Sequence, residues 1–427
     1  MKKKSLKLIF NKDTLLTLIL VIYFCGTPIS AALTIFLDRD IATLIVSIVL
    51  FFCILIYCIT SKIKGSLIVV KNPLCLNDYN KKYNTVFLIY TLIAIIIFLT
   101  IMIHPEYMAW YSHDIYGIKA QFLSFKSGIW ALLIITLYKD ENKLLHDLKI
   151  VTTLVFLLYF GKFIVATYRG YWVQTSLSGG VTLEEYNMEF GFRMLFAVAF
   201  WGAQAILNNK KKYLLLYIFG LLLILAGGSR APALWALATL FLIIPFKYKS
   251  FTKNQKNIVK ISFCIGLLFL INANKVLIFI GSILKSFGLT SRTVESLAQG
   301  NFLYMNGRDV IYSMAIELIK NGSFWGYGFY GDRYYIGEYF RWGYAHNIFL
   351  ELLIMFGSVI GTLVIVLLVS RIIKLYKIST STTRKIIVIT FLTTSLRLLL
   401  SGSFWYEAPF WALIALSFTW CRSDYRV

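Results

Sequence analysis

Apolar stretches of about 20 residues, long enough to span a bilayer, recur from one end of this 427-residue chain to the other. No other feature constrains the fold as tightly. Inside lipid, every backbone polar group must pair within a helix or a closed barrel. A barrel would show alternating segments of about 10 residues, whereas the runs here are continuous, as in "LLTLILVIYF". Hydrophobic residues make up 59% of the chain and charged residues 15%, against about 25% charged in soluble domains. The expected fold is an all-α polytopic membrane protein, a single transmembrane domain over residues 1–427. Twelve spans are expected, at about 14–37, 41–60, 83–103, 117–138, 149–167, 192–207, 213–229, 231–246, 258–284, 347–370, 386–401 and 407–421.

A net charge of +23, from 43 basic and 20 acidic residues, invites a nucleic-acid reading. The distribution of the charge argues otherwise. With the N-terminus inside, the inner segments include "MKKKSLKLIFNK", "NNKKK", "KYKSFTKNQKNIVK" and "RIIKLYKISTSTTRK", and together the inner segments hold most of the basic residues. The positive-inside rule then places both termini in the cytoplasm, and the charge serves topology and contact with anionic lipid heads. The first span has the basic start of a signal peptide, but it is too long and a second span follows at once, which predicts a retained helix. The cysteines at 25, 53, 58, 75, 264 and 421 fall in the membrane or cytoplasm, so neither a disulfide nor a CxxC metal pattern is expected. No internal repeat of the inverted-repeat transporter kind is visible.

Two outer segments are longer than antiparallel neighbouring helices need. One is "RGYWVQTSLSGGVTLEEYNMEFGF" (169–192); the other is a large loop at 285–346, between spans 9 and 10. In the large loop, "RDVIYSMAIELIK" sets Val310, Ile311, Met314, Ala315 and Leu318 on one stripe of an amphipathic helix. Asp309 lies in its first turn, where a negative charge suits the helix dipole. The following "NGSFWGYGFYGDRYY" breaks the helix with glycines among aromatics, Tyr327 included. Such aromatics favour the membrane interface and stack on sugar rings, which predicts a lid or shelf.

Arg, Lys or Asp at mid-membrane costs about 2.5–3.5 kcal/mol on insertion scales and usually faces a cavity. In "LLLILAGGSRAPALWAL", Ser229 and Arg230 occupy a turn between two spans with almost no loop. The guanidinium fork suits a phosphate; the plain alternative is an arginine snorkelling to lipid heads. Arg308 opens the loop helix and on its own reads as ordinary surface arginine. Lys126, Lys162, Lys275 and Arg397 also fall in or near spans, and Arg397 beside Gly402 is a cavity candidate. Arg193, preceded by Glu185 and Glu189, suits an ion-pair cluster or a substrate contact. In "GYAHNIFLELLIMFG" (343–357), His346 stands at a helix N-terminus, and Asn347 and Glu351 share a face at i, i+4. That position disfavours imidazolium and attracts phosphate oxygens. Alternatively, Asn347 is only an N-cap and His346 an interfacial polar residue. His104, His113 and His146 are weaker candidates. "DRD" at 38–40 more often marks a tight turn than a metal site, and no HExxH or clustered His/Cys pattern occurs.

The ordered run "GGSRAPAL", "GRDVIYSMAIELIKNGSFWGYGFYGD" and "AHNIFLELLIMFG", with twelve spans and a long outer loop before the tenth, resembles the O-antigen ligase and O-antigen or capsule polymerase superfamily. The likeness is specific over roughly 220–360. It implies a C-type membrane glycosyltransferase architecture and an inverting, metal-independent transfer with no cofactor. It assigns functional roles to Arg230, Arg308 and His346, with His346 as base. Ser229, Asn347, Glu351, Arg193, Arg397 and Tyr327 are the accompanying substrate-binding candidates. Glu351 or Glu185 could replace His346 as the base. The implied partners are an undecaprenyl-pyrophosphate-linked glycan donor and acceptor in the bilayer of the bacterial cytoplasmic membrane, with the pathway's chain-length regulator and flippase. Polymerase is the first reading. Alternatives are a ligase delivering polymer to lipid A-core, a flippase for lipid-linked sugars, and a transferase using a polyprenyl-monophosphate sugar with Asp38 or Asp40 as base.

Overall fold

The computed structural model describes residues 12–34, 36–67, 74–113, 116–124, 127–175, 181–184, 187–227, 230–247, 282, 307–322, 324–340 and 343–423. Elements are numbered over these residues. Six helices are long and apolar enough to cross a membrane: α1 (Lys12–Leu33), α2 (Arg39–Leu67), α3 (Leu74–Ile103), α6 (Glu141–Arg169), α7 (Met188–Leu207) and α12 (Ile348–Ile378). The chain is a helical, polytopic membrane protein. Shorter helices complete the bundle: α8 (Lys211–Ala226), α9 (Arg230–Lys247), α13 (Thr382–Ser395) and α14 (Ala408–Ser423).

α7 is the hub. It packs against α6, α8, α9 and α13, and residues Phe190 to Gln204 are buried almost without interruption. A helix apolar all round belongs inside a bundle. Close approach comes from small residues, as between membrane helices generally: a Cβ on Gly220 of α8 would lie 2.5 Å from Val198. Phe196 of α7, Phe24 of α1 and Phe391 of α13 form a three-ring cluster with centroids 5.1, 6.0 and 6.4 Å apart.

The structure corrects several expectations. The segment 117–138 is not one span. It comprises a π-helical turn (Lys119–Leu123), turn residues at 127–129, and the seven-residue α5 (Trp130–Thr136). Irregular backbone at membrane depth is tolerated only where protein partners replace the missing helical bonds, and they do. Tyr23 donates to the carbonyls of Ser127 and Gly128 at 2.9 and 3.0 Å, and Tyr90 to that of Ile129 at 2.9 Å. The Gly128 N–H donates to Trp405 O at 2.8 Å, inside a second break at 400–407. Expected span 386–401 is a 14-residue helix ending in the 3-10 turn Leu396–Leu399. Expected span 258–284 and residues 285–306 of the large loop lie outside the described residues, except Ser282. The outer segment 169–192 is not purely helical: Trp172–Thr175 pairs antiparallel with Val181–Glu184, Trp172 opposite Glu184.

The described part of the large loop forms a shelf of α10 (Arg308–Asn321) and α11 (Gly331–Gly337) against α12. On α10 the inward face is centred on Ile311 and Ala315, with Leu318 and Ile319 packed beside them. Val310 points outward at 48% exposure and does not belong to the stripe. The shelf is sewn into α12 where that helix breaks at Gly357 (φ 75°, ψ 170°). The break frees carbonyls, and Tyr327 N–H and Gly328 N–H donate to Ile354 O and Met355 O, both at 2.9 Å. Phe329 N–H reaches Thr100 Oγ1 of α3 at 3.3 Å.

Gly326 and Gly357 both take positive φ, and an added Cβ at either would meet backbone at 2.2–2.3 Å. G326A and G357A should each lower the thermal unfolding midpoint of the detergent-solubilised protein, at a cost of about 1–3 kcal/mol. Gly161, with nothing within 4 Å, is the control, and G161A should leave the midpoint unchanged or raise it. Equal behaviour of all three would remove the stitch.

Candidate functional site

One end of the bundle gathers most of the buried charge: the first turns of α7 and α12, the 3-10 turn before residue 400, the break at 400–407, the start of α10, and α11. Asn347 makes the first turn of α12. Its Oδ1 accepts from Phe349 N and Leu350 N at 2.9 and 3.3 Å, and its Nδ2 donates to Leu399 O at 3.0 Å. It is therefore a cap that also ties α12 to the 3-10 turn. His346, just before it, is held at φ 53°, as Asn209 and Tyr330 are held at positive φ elsewhere, a conformation that costs a side chain with a Cβ about 1–3 kcal/mol.

Arg333 of α11 is the centre of the first polar cluster. Its Nη1 donates to both oxygens of Asp332 at 2.8 Å, and its Nη2 donates to Glu351 Oε1 at 3.0 Å and Ser403 Oγ at 2.9 Å. Ser403 in turn donates to Glu351 Oε1 at 2.6 Å. The Arg333, Asp332 and Glu351 side chains are wholly buried. The Tyr330 and Tyr344 rings flank the guanidinium at 5.2 and 5.8 Å. Burial opposes a charge on Arg333, but the carboxylates of Asp332 and Glu351 outweigh it and raise its pKa above the ordinary value. Glu351 is thus the counter-ion of a buried arginine.

The second cluster is a chain of ion pairs. Arg193 Nε donates to Glu189 Oε1 at 2.7 Å, Arg397 Nη2 donates to Glu189 Oε2 at 2.8 Å, and Arg397 Nη1 lies 3.8 Å from Glu407. The Arg397 guanidinium also rests over the Phe192 ring at 4.4 Å. The i, i+4 spacing of Glu189 and Arg193 makes the first pair readable from sequence; Glu185, its expected companion, lies outside the described residues.

His346 adjoins both clusters. Its ring lies 4.4 Å from that of Tyr344, and its Nδ1 is buried without a hydrogen-bond partner among the described residues. Burial first, then the positive charges of Arg308 and Arg397, lower its pKa to about 4. The imidazole is therefore neutral at physiological pH. Arg308 is half-buried at the head of α10 and has no ion pair among the described residues.

Arg308 and Arg397 act on His346 through their charge, and Glu189 links Arg397 to Arg193. Arg230 begins α9; its side chain and Ser229 lie outside the described residues. Tyr327 packs edge-on against Tyr335 at 4.9 Å within the shelf, and its backbone serves the Gly357 stitch. The remaining histidines sit elsewhere: His104 stacks on Tyr107 and pairs with Glu106, His113 stacks on Trp110, and His146 lies beside Asp147. Asp332, Arg333, Ser403, Glu407 and Tyr344 were not anticipated. Adjacent opposite charges inside an aromatic run, "YGDRYY", are the signal that marks the first two.

R333A would leave two carboxylates buried and unpaired, so it should destabilise the protein by about 3–5 kcal/mol. R333K, without the fork, should recover little of this. An unchanged unfolding midpoint for R333A would refute the assignment. For His346, an NMR titration assigned with H346Q should place the imidazole midpoint near 4, with R308Q and R397Q each moving it upward. Because the folded pKa lies below the unfolded value of about 6.5, the stability linked to this group is complete above that pH and is lost as pH falls toward 4. A midpoint near 6.5 would refute the burial argument.

No family model, no curated protein and no solved structure matches the chain.

Proposed function

We propose that this protein is a polysaccharide polymerase of the O-antigen or capsule kind. It would join undecaprenyl-pyrophosphate-linked oligosaccharide units by inverting, metal-independent glycosyl transfer at the outer face of the bacterial cytoplasmic membrane. The observation that carries this reading is a neutral, strained histidine within the field of two arginines at one end of a membrane bundle. The distribution of basic residues along the sequence assigns that end to the outside, where a lipid-linked glycan is presented.

The groups divide the reaction between them. The acceptor hydroxyl oxygen forms a bond to the anomeric carbon of the donor, and the bond from that carbon to the diphosphate oxygen breaks. The departing diphosphate takes the electron pair, and Arg308, Arg397 and Arg230 stabilise the charge that develops. His346 accepts the hydroxyl proton. With a pKa near 4 it is a weak base in the free protein. Arrival of an anionic headgroup offsets the arginine charges and moves the imidazole toward greater basicity, so its basicity rises when the donor is in place. Lipid diphosphate is already an activated leaving group, so the transfer needs no nucleotide. Tyr327 and its aromatic neighbours on the shelf offer ring faces to sugars.

R230A, R308A and H346A should each block glycan elongation while the protein still accumulates in the membrane, with a loss of about 100-fold or more for H346A. Electrophoresis of surface glycan from a deletion strain complemented with each variant gives the result. Full-length polymer from all three would sink the mechanism. In the deletion strain itself, single repeat units on the core identify a lost polymerase, whereas bare core with polymer stranded on carrier lipid identifies a lost ligase.

A further inference from the structure

α7 is the most enclosed of the six long helices, yet at its first turns Glu189 and Arg193 are 42% and 41% exposed. Both side chains are therefore accessible at this end of the bundle. Glu189 bridges two arginines, with one carboxylate oxygen on Arg193 at 2.7 Å and the other on Arg397 at 2.8 Å. Each guanidinium carries five N–H donors, so one carboxylate leaves most of them unused. The Arg397 Nε is buried without a hydrogen-bond partner among the described residues, and Arg397 Nη1 stands 3.8 Å from Glu407, too far for a hydrogen bond. Lys162 lies within electrostatic reach of both Arg193 and Glu189. The two guanidiniums therefore have more N–H donors than these two carboxylates satisfy. A carboxylate bridging two arginine forks holds them as a phosphate would.

We propose that Glu189 is a specificity-determining residue: it occupies the anion site of Arg193 and Arg397, and the headgroup of an incoming lipid-linked glycan must displace it. This rests on the glycosyl-transfer reading above and adds a charge threshold to it. A glycan joined to its lipid through one phosphate is a diester with a single negative charge, the same as Glu189, so the exchange gains nothing. A diphosphate-linked glycan brings two charges and more acceptor oxygens, and it outcompetes the carboxylate. Arg193 and Arg397 reach the headgroup only after Glu189 swings away. Its partial exposure permits that motion, which a buried carboxylate such as Glu351 lacks.

The test uses the full chain in nanodiscs, titrated with inorganic pyrophosphate and with dimethyl phosphate, a singly charged diester, and read by 31P NMR. Wild type should bind pyrophosphate at least tenfold more tightly than the diester. E189Q should strengthen diester binding by about tenfold and strengthen pyrophosphate binding less, so the ratio narrows. E189A, which also removes the amide, should act in the same direction, and E407Q should leave the ratio unchanged. R397Q should weaken both probes. Equal binding of both probes by wild type, or an unchanged ratio in both Glu189 variants, overturns the proposal. Surface glycan reports the parent reading separately. Normal polymer in the deletion strain refutes glycan polymerisation whatever the probe titrations give. Polymer lost on deletion, with Glu189 variants unchanged in probe binding, refutes only the charge threshold.

Discussion

The buried guanidinium of Arg333 is the interaction on which the rest of this end of the bundle depends. Two wholly buried carboxylates, one from its own helix and one from the first turns of a membrane-spanning helix, converge on it, and Ser403 closes the network from a third segment. A charge this deep is tolerable because both oxygens of Asp332, one oxygen of Glu351 and the Ser403 hydroxyl accept from it. The consequence is positional. The shelf carrying α10 and α11 cannot slide over α12 without breaking the Arg333–Glu351 contact. The chain from 343 to 347 runs directly from this anchor to His346, with Tyr344 against the guanidinium on one side and the imidazole on the other.

The same end of the molecule departs from regular helix in three places: before α5, at Gly357 of α12, and between the 3-10 turn and α14. In a lipid environment each break exposes backbone groups that water cannot satisfy. Each is repaired by another irregular segment or by a tyrosine hydroxyl, so the breaks are mutually dependent. The 116–129 segment and the 400–407 segment meet through Gly128 and Trp405, and the shelf loop fills the break in α12. Regular helices pack the opposite end. There Asp147 accepts from Thr17, Tyr138 and Lys143, fastening α6 to α1 and to the chain that follows α5.

Much of this was legible in the sequence, and the misses share a cause. Helical membrane character, the α10 helix with its first-turn Asp309, the Asn347 cap and the Glu189–Arg193 pair all follow from local spacing, which a sequence displays directly. The sequence suggests a continuous span at 117–138 although its first half carries Lys119, Gln121, Ser124 and Lys126; the tyrosines that make a break tolerable come from distant segments, Tyr23 and Tyr90. Val310 was placed on the buried stripe of α10 because the 3.6-residue period leaves the face uncertain by one position. Sequence reading offers Glu351 as a substrate contact or an alternative base, whereas its partners in the fold, Arg333 and Ser403, lie 18 and 52 residues away and no local pattern reveals them. Local patterns fix elements, whereas buried charge is settled by contacts between them.

Burial and two arginines keep His346 uncharged, and that same field limits its strength as a base. Under the proposed glycosyl transfer, an anionic headgroup that offset the charges of Arg308 and Arg397 would remove the arginine share of this shift and leave the larger share that comes from burial. Basicity would then depend in part on occupancy, and the Arg333–Glu351 contact would serve it by fixing the shelf that carries Arg308 against α12.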